Sequence, residues 1–365
     1  MPESPRPIII FGLVSKHPGR NRGGTAISMG RLANFFARSG HAVYIVMRRP
    51  KPGHFLLDAV DPAVRFRFLH ARSRVGIFFE FLKFLFQLGT CSVLALDVRA
   101  CQIASWLAAV PMTGVRVWAS FHSALPENRK RLLKNIAARC DGVIAISHGL
   151  AADFARLTSA PDCKVHVIHN LVVTPELLEA ADEPVDHPWF RRWDVPVLLG
   201  VGRLMPEKGF DVLLRAFAQV RRLRCVRLAV LGEGPQADAL LREAQELGIA
   251  GDFALLGFQR NPWAFMKRAS MVVSASRSDA FGNVLAEALA LGVPVVAADC
   301  PHGPREILDG GRLGRLVPVG DEVALAEAII QTLDDPLPSE VLTAGAARFG
   351  CEYAGRRYLH VMGLG

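Results

Sequence analysis

Short, uninterrupted apolar runs alternate with longer amphipathic segments along the chain, and this alternation restricts the fold more than any other feature. In the front half, apolar runs occupy Ile8–Leu13 and Ala42–Met47. The stretch Thr25–Ser39 between them has helical spacing and is followed by Gly40, a residue that commonly ends a helix. Strands without polar alternation are typical of parallel sheets covered on both faces. The pattern therefore predicts an α/β protein with doubly wound sheets.

The pattern stops once and then restarts. Residues 174–196 contain four prolines and several acidic residues, which is typical of a linker, and Val197–Val201 begins a second series of strands, glycine loops and helices. A chain of 365 residues is long enough for two domains with separate cores. We predict an N-terminal Rossmann-like domain (1–173), a linker (174–196), a C-terminal Rossmann-like domain (197–345) and a C-terminal helix (346–365) that packs back toward the first domain.

Positive charge is concentrated in the front half. The net charge is +9, but residues 1–180 hold 23 Lys and Arg against 11 Asp and Glu, whereas the remainder holds 20 against 23. This asymmetry favours an anionic partner, namely a membrane surface, a phosphorylated acceptor or nucleic acid; the alternative is a solvated basic face with no partner. No nucleic-acid reader module is recognisable, so we expect no nucleic-acid partner.

Two predicted helices of the front half are candidates for contact with that partner. Pro126–Cys140 is basic and amphipathic, and cations in its first half oppose the helix dipole, which favours an external anion; these are Arg129, Lys130, Arg131 and Lys134. Ile77–Leu88 is apolar nearly all round and is either a helix buried against the sheet or a segment that enters a bilayer interface. Its flanks carry Arg65, Arg67, Arg72 and Arg74, which suit anionic headgroups.

Cysteine usage and hydropathy indicate the compartment. The seven cysteines are scattered and include no C-x-x-C pair, so we expect a reducing environment and no zinc site. No segment reaches about 18 uncharged apolar residues, and the N-terminal apolar run is too short for a signal peptide. We expect a cytoplasmic protein that is at most peripheral on the inner face of the cell membrane.

Two strand-to-helix loops of the back half carry charged residues beside glycines. Arg203 and Lys208 lie in one loop, between Gly202 and Gly209. Two cations, flexible glycines and a helix N-terminus together describe a diphosphate site, although two cations in a surface turn are the simpler alternative. Asp279 precedes a helix predicted to start near Asn283.

That second helix carries Glu287 one turn in, where its carboxylate can accept hydrogen bonds from a ribose. His122 follows the predicted strand Val115–Phe121 and can donate a hydrogen bond or a proton, although a single histidine is more often structural. The first βαβ unit lacks G-x-G-x-x-G, which counts against a nicotinamide-dependent oxidoreductase.

Taken together, the strings GVGRLMPEKGFDVLLRAFA, LGEGP and SRSDAFGNVLAEALALGVPVVAADCPHGPREIL resemble the retaining glycosyltransferases of family 4, which have the GT-B fold. Weaker landmarks are the GGT turn, His122, ISHGL and IHN. The resemblance implies that the back domain binds a nucleotide-sugar, with UDP linked to a hexose or N-acetylhexosamine as first choice. It also implies that the front domain holds a glycan or lipid-linked acceptor of cell-envelope polysaccharide or lipopolysaccharide synthesis.

The same resemblance implies roles for individual residues. Arg203 and Lys208 neutralise the donor diphosphate, Glu287 binds the ribose, Gly24 approaches the phosphates from the front domain, and His122 lies near the transferred sugar. The remaining donor-binding residues implied are Phe258, Arg260, Asp279, Phe281, Gly282 and Asn283. The resemblance implies no metal and no other cofactor, because cations replace a divalent ion at the leaving group.

One residue departs from the family pattern. The family pairs two glutamates, whereas the first position here is Asp279. Aspartate is one methylene shorter, so its carboxylate falls about 1 to 1.5 Å short unless the loop shifts. The alternative to an active enzyme is therefore a nucleotide-sugar-binding protein or subunit without catalytic activity.

Overall fold

The computed structural model describes residues 6–13, 24–50, 55–57, 59–159, 164–191 and 194–365. The chain divides into two compact units, Met1–Leu171 with Cys351–Gly365 and Val172–Gly350. Each unit is built around its own all-parallel sheet. The predicted α/β class with two doubly wound sheets is therefore confirmed.

The first unit contains a seven-stranded sheet. Its strands are β1 (Ile8–Phe11), β2 (Val43–Arg48), β3 (Arg65–Leu69), β4 (Cys91–Ala95), β5 (Val115–Phe121), β6 (Gly142–Ala145) and β7 (Val165–Val167). Their order is β3-β2-β1-β4-β5-β6-β7, so the direction of winding reverses between β1 and β4. Both neighbours pair with β1 in register from Ile8, at Val43 on one side and Ser92 on the other. Strands β1 and β4 are buried throughout, as expected for the centre of a covered sheet.

Among the described residues of this unit, five helices follow strands. They are α1 (Gly24–Arg38), α2 (Arg74–Leu88), α3 (Val98–Leu107), α4 (Lys130–Arg139) and α5 (His148–Thr158). Helix α2 extends the predicted Ile77–Leu88 by one turn, because the Ser73 hydroxyl accepts a hydrogen bond from the Gly76 amide and caps it. Helix α4 is shorter than the predicted Pro126–Cys140, since Glu127–Arg129 forms a separate 3-10 turn.

The second unit contains a six-stranded sheet. Its strands are β8 (Val197–Val201), β9 (Arg227–Leu231), β10 (Phe253–Leu255), β11 (Met271–Ser274), β12 (Val295–Ala298) and β13 (Arg315–Val317). They are ordered β10-β9-β8-β11-β12-β13, so the winding reverses between β8 and β11. These two central strands pair in register from Leu198 and Met271. Ligands of open α/β sheets bind at such a reversal, beyond the carboxyl ends of the strands.

Nine helices belong to the described part of this unit. They are α6 (Pro175–Ala180), α7 (Pro188–Arg191), α8 (Phe210–Leu223), α9 (Ala237–Glu246), α10 (Pro262–Arg268), α11 (Asn283–Ala290), α12 (Gly303–Ile307), α13 (Glu322–Asp334) and α14 (Ser339–Ala346). The first two correct the predicted linker at 174–196. Thr174 caps α6 with Pro175 in its first turn, a position that suits proline, and the Asn261 amide donates to the Ala180 carbonyl at 2.6 Å. This segment is therefore folded onto the second unit.

The last helix, α15 (Cys351–Met362), groups with the first unit. Tyr358 is fully buried there, with its ring centroid 6.4 Å from that of Phe36 on α1. Residues 346–350, which the sequence assigned to this helix, stay with the second unit. Over the residues described above, no helix combines the length and the apolarity needed to cross a membrane.

Candidate functional site

The loop after β8 carries Arg203 and Lys208 at the centre of the second unit. It ends in a 3-10 turn, Pro206–Lys208, and Gly209 then starts α8 with φ at 65°. A Cβ atom on Gly209 would lie 2.1 Å from the carbonyl oxygen of Ala275, just beyond β11. Only glycine allows this close approach, which holds the turn bearing Lys208 against the neighbouring strand.

The loop after β11 carries the acidic residues. Asp279 lies in this loop, and Gly282, with φ at 96°, precedes α11. Glu287 lies in the second turn of α11 and is buried, with 8% of its surface exposed. Because β8 and β11 are adjacent and parallel, both loops emerge at the same edge of the sheet.

The two loops meet in an ion pair. The Lys208 ammonium lies 2.5 Å from a carboxylate oxygen of Asp279, and both side chains are about four-fifths buried, with 21% and 23% exposed. The aspartate thus reaches Lys208 in spite of its short side chain. Arg203 is 44% exposed and contacts Glu207 at 3.3 Å, so its guanidinium is partly open to solvent. The structure brings the predicted Lys208 and Asp279 together.

A second pair of residues, which the sequence did not single out, joins the same loops. The Arg277 guanidinium donates to both carboxylate oxygens of Asp211 at 2.8 and 2.6 Å and to the Pro206 carbonyl at 2.7 Å. Its backbone amide donates to the Glu207 carbonyl at 2.8 Å. Arg277 therefore fastens the turn that ends in Lys208. The hydrogen bonds from Arg277 lower the pKa of Asp211 to about 2.

This arrangement suits an anionic ligand. It lies where the sheet reverses its winding, at the amino ends of α8 and α11, and peptide N–H groups at such ends attract phosphate. Lys208 and Arg203 add two cationic side chains in the loop after β8, each paired with a carboxylate. The buried carboxylate of Glu287 adds a hydrogen-bond acceptor of the kind that binds ribose hydroxyls in nucleotide crevices.

The remaining predicted donor residues of this unit lie in different surroundings. Phe281 is 2% exposed, and its ring packs at 5.6 Å against Phe349, so this side chain is part of the core rather than of a ligand surface. Phe258 is 39% exposed and Arg260 is exposed, in the loop after β10. Strand β10 is separated from β8 by β9, so this loop lies two strands away from Lys208. Gly282 and Asn283 lie at the start of α11, beside Asp279.

His122 lies at the carboxyl end of β5 in the first unit. Its Nε2 is 2.9 Å from the Ser120 hydroxyl and its Nδ1 is 3.1 Å from the Asn170 side-chain oxygen. Desolvation lowers the pKa of His122 to about 4, so the ring is neutral at pH 7. Both ring nitrogens are thus engaged within the unit, and this geometry does not provide the proton donor that the sequence analysis envisaged.

The other predicted residues of the first unit are dispersed. Gly24 begins α1, and the loop before it lies outside the described residues. The four cations predicted to contact an anion lie in the 3-10 turn and in α4 and are all exposed, namely Arg129, Lys130, Arg131 and Lys134. The sequence analysis overlooked Asp97, which caps α3 and accepts the Leu13 amide at 2.6 Å where the winding reverses. In the sequence, Asp97 is recognisable as an aspartate directly after a short apolar run.

Comparison with known proteins identifies families for both halves. The family described as "Glycosyltransferase Family 4" matches residues 22–176, and the one described as "Glycosyl transferases group 1" matches residues 195–335. Among curated proteins, an N-acetylgalactosaminyltransferase of Campylobacter jejuni that acts on N-acetylgalactosamine-N,N'-diacetylbacillosaminyl-diphospho-undecaprenol is 29% identical over 206 residues, 56% of this chain and 54% of the relative. The lipopolysaccharide core biosynthesis glycosyltransferase LpsE of Rhizobium meliloti is 33% identical over 172 residues, 47% and 48% of the two chains. The chain thus spans about half the length of these relatives.

Solved structures match over the whole chain. A glycosyltransferase from Rickettsia africae superposes with a TM-score of 0.80 at 16% identity, covering 98% of both chains. HepE from Anabaena, solved in complex with UDP, superposes with a TM-score of 0.78 at 18% identity, covering 98% of this chain and 99% of HepE. At these identities the likeness concerns the fold. Together with the two family matches, it shows that this chain belongs to the GT-B glycosyltransferases of family 4, the group 1 glycosyl transferases.

Proposed function

We propose that the protein transfers a hexose or an N-acetylhexosamine, with retention of configuration, from a UDP-linked donor to a glycan or lipid-linked acceptor. The product would belong to cell-envelope polysaccharide or lipopolysaccharide synthesis. The observation that carries this proposal is the pairing of Lys208 and Asp279 across the carboxyl ends of β8 and β11, in the loop that also carries Arg203. Two cationic side chains, each paired with a carboxylate, next to helix amino ends at the reversal of a doubly wound sheet can hold a sugar diphosphate.

The relatives support the choice of donor and acceptor. HepE from Anabaena was solved with UDP, with UDP and glucose, and with UDP-glucose. The Campylobacter jejuni relative transfers N-acetylgalactosamine to a diphospho-undecaprenol carrier, and the Rhizobium meliloti relative acts in lipopolysaccharide core biosynthesis. These names favour a UDP-sugar donor and an acceptor that is a glycan or is carried on a lipid.

The proposed chemistry places positive charge where negative charge develops. As the bond between C1 of the sugar and the diphosphate oxygen breaks, Arg203 and Lys208 stabilise the leaving UDP without a metal ion. The acceptor oxygen bonds to C1 from the same face, and its proton passes to the departing phosphate oxygen. Asp279 orients the Lys208 ammonium, while Glu287 holds the ribose.

The basic first unit supports an anionic acceptor. Arg129, Lys130, Arg131 and Lys134 are exposed on and before α4, where two of them begin a helix whose dipole they oppose. We assign them to a phosphorylated acceptor or to the anionic surface that carries it. Nucleic acid is not part of the proposal. The protein would act on the cytoplasmic face of the cell membrane.

Release of UDP tests the function. The protein would be incubated with a panel of UDP-hexoses and UDP-N-acetylhexosamines, with and without membrane extract as acceptor source, and UDP would be measured. We expect release from one donor, stimulated by the extract, retained when divalent ions are chelated, and reduced at least 100-fold in Lys208→Met.

Binding without turnover would identify the rival function, a nucleotide-sugar-binding protein without catalytic activity. Asp279 is the residue that motivates this rival, because the family has glutamate there. If donors bind, no UDP is released, and Asp279→Glu does not restore release, the proposed transfer is contradicted.

A further inference from the structure

His302, in the loop after β12 of the second unit, has a backbone conformation that its own side chain disfavours. Its φ is 82° and its ψ is −103°. Turns usually give this conformation to glycine, because a Cβ atom crowds the neighbouring carbonyl oxygens. Ser159, at the end of α5, also has a positive φ, but its φ of 56° and ψ of 33° are in the ordinary left-handed helical region. The strain at His302 is therefore the greater of the two.

The loop that carries His302 lies against the loop that carries Asp279. The backbones of these two residues pair in an isolated parallel β-bridge beyond the ends of β12 and β11. A Cβ atom on Gly303 would lie 1.6 Å from the carbonyl oxygen of Phe281, so position 303 has no room for a side chain. His302 is thus fixed beside Asp279, the partner of Lys208.

Cys300 shows that this loop lies within the field of the Lys208–Asp279 pair. Burial, together with the negative charge of Asp279, raises the pKa of the Cys300 thiol to about 11, and the charge of Lys208 opposes this rise. Arg305 donates to both carboxylate oxygens of Asp299 and so ties the end of the loop to its start. The loop after β12 is therefore a preorganised part of the candidate donor site.

Glycine at position 302 would relieve the backbone strain, and the adjacent Gly303 shows that this loop accommodates glycine. A side chain that costs stability at such a position is retained where it has a use, and strained residues are concentrated at ligand sites. His302 is partly exposed, so its ring is not needed to fill the core. These observations indicate a ligand contact for the imidazole.

We infer that His302 determines sugar specificity by donating a hydrogen bond from its imidazole to a hydroxyl of the sugar on the donor. The strand order β8-β11-β12 places Lys208 on one side of Asp279 and His302 on the other. With the diphosphate on Lys208, the sugar attached to it extends toward Asp279 and His302. The inference rests on the proposed function, because it concerns the sugar of the same donor.

Thermal unfolding of His302→Gly measures the cost of the side chain. Because glycine adopts the observed φ and ψ without strain, we expect the melting temperature of the second unit to rise by about 2–4 °C. Ser159→Gly is the matched control, since it relaxes a positive φ in the first unit, away from the candidate donor site. Its donor kinetics should equal those of the wild type.

Donor kinetics measure the use of the side chain. The probes are two pairs of epimers, UDP-glucose with UDP-galactose and UDP-N-acetylglucosamine with UDP-N-acetylgalactosamine. For the donor that the wild type prefers, His302→Gly should lose about five- to tenfold in kcat/KM and a similar factor in preference over the epimer. Calorimetric affinity for UDP, which has no sugar, should be unchanged. His302→Asn tolerates a positive φ and keeps a side-chain donor, so it should retain more of the preference than His302→Gly.

Failure of this inference and failure of the proposed function give different results. A wild type that binds no UDP and transfers none of the four sugars overturns both. If the wild type transfers a sugar and His302→Gly keeps its rate and its epimer preference, the inference alone is overturned. Equal weakening of UDP and UDP-sugar binding would place the imidazole on the diphosphate, and a lower melting temperature of His302→Gly would give it a structural role. Either result also contradicts the inference.

Discussion

Arg277 fixes the position of Lys208 through contacts that a surface ion pair lacks. It donates to the Asp211 carboxylate and also to the Pro206 carbonyl in the turn that ends in Lys208. We expect Arg277→Met to lower the unfolding free energy by about 1–2 kcal/mol and to raise KM for the donor more than it lowers kcat. Compared with Arg277→Met, Arg277→Lys should restore part of the unfolding free energy but little of the donor KM. Lysine cannot hold both carboxylate oxygens and the carbonyl together.

Arg224→Met is the control for Arg277→Met. Arg224 also contacts both carboxylate oxygens of an aspartate, Asp334, but the two side chains are 46% and 54% exposed. Exposed salt bridges contribute about 0–1 kcal/mol to the free energy of unfolding. If urea unfolding and donor KM respond equally to both changes, Arg277 has no positioning role.

His122 makes the first unit sensitive to acid. Its pKa is about 4 in the folded protein against 6.5 ordinarily, so the unfolded chain binds a proton more readily between these values. The stabilisation is complete above about pH 6.5, and about 3 kcal/mol of it is lost as the pH falls to 4. Denaturant unfolding at pH 7 and pH 4.5 should show this loss in the wild type and a smaller loss in His122→Gln. An equal loss in both would show that other groups account for the acid response.

At the scale of elements, the turn between β8 and α8 depends on one glycine. Gly209 combines a positive φ with a Cβ position 2.1 Å from the Ala275 carbonyl oxygen. Gly40, with φ at 86°, has no atom of the described chain, apart from its sequence neighbours, within 4 Å of its Cβ position. Gly40→Ala should lower the free energy of unfolding by about 1 kcal/mol. Gly209→Ala should lower it by about 2–4 kcal/mol and should also weaken donor binding. Thermal unfolding and UDP calorimetry measure both effects. Equal costs would mean that the close approach is unimportant.

The elements that the sequence predicted best are largely buried strands that end at a glycine or polar loop. The bounds of β5 and β8 match the prediction residue for residue. Strand β4 was overlooked, since CSVLA merges with the apolar residues around it. Strand β3 was overlooked because its arginines were interpreted as cations flanking the helix Ile77–Leu88. The sequence R-F-R-F-L alternates as an edge strand does.

Proline misled the prediction for residues 174–196. Pro175 and Pro188 occupy the first positions of α6 and α7, where a missing N–H costs nothing, so they begin helices rather than break structure. Composition alone does not separate these two uses of proline. The hydrogen bond from Asn261 to Ala180, which fixes the segment to the second unit, joins residues 81 apart in sequence.

At the scale of the whole molecule, α15 completes the first unit from the far end of the chain. Tyr358 and Met362 are fully buried in its core. We expect a chain that ends at Gly350 to lose hydrogen-exchange protection throughout residues 6–171 while residues 172–350 keep theirs. Tyr353→Ala is the control, because Tyr353 lies on the same helix but is 54% exposed. Protection that survives the truncation would show that α15 is dispensable.

The candidate site was predictable where its residues lie in βα loops. Lys208 and Asp279 meet because parallel strands bring all such loops to one edge of the sheet, which the alternation of elements already implied. The link between Arg277 and Asp211 was not predictable, since it joins positions 66 apart through side-chain geometry. For Phe281, sequence proximity suggested a ligand contact, but packing on Phe349 placed its ring in the core.

Calorimetric titration of UDP into the wild type, Lys208→Met and Arg203→Met measures the central claim most directly. If these cations hold a diphosphate at the reversal between β8 and β11, each variant should bind UDP at least tenfold more weakly, while Arg222→Met on the exposed end of α8 binds as the wild type does. Wild-type affinity in folded Lys208→Met and Arg203→Met would place the nucleotide elsewhere and contradict the account.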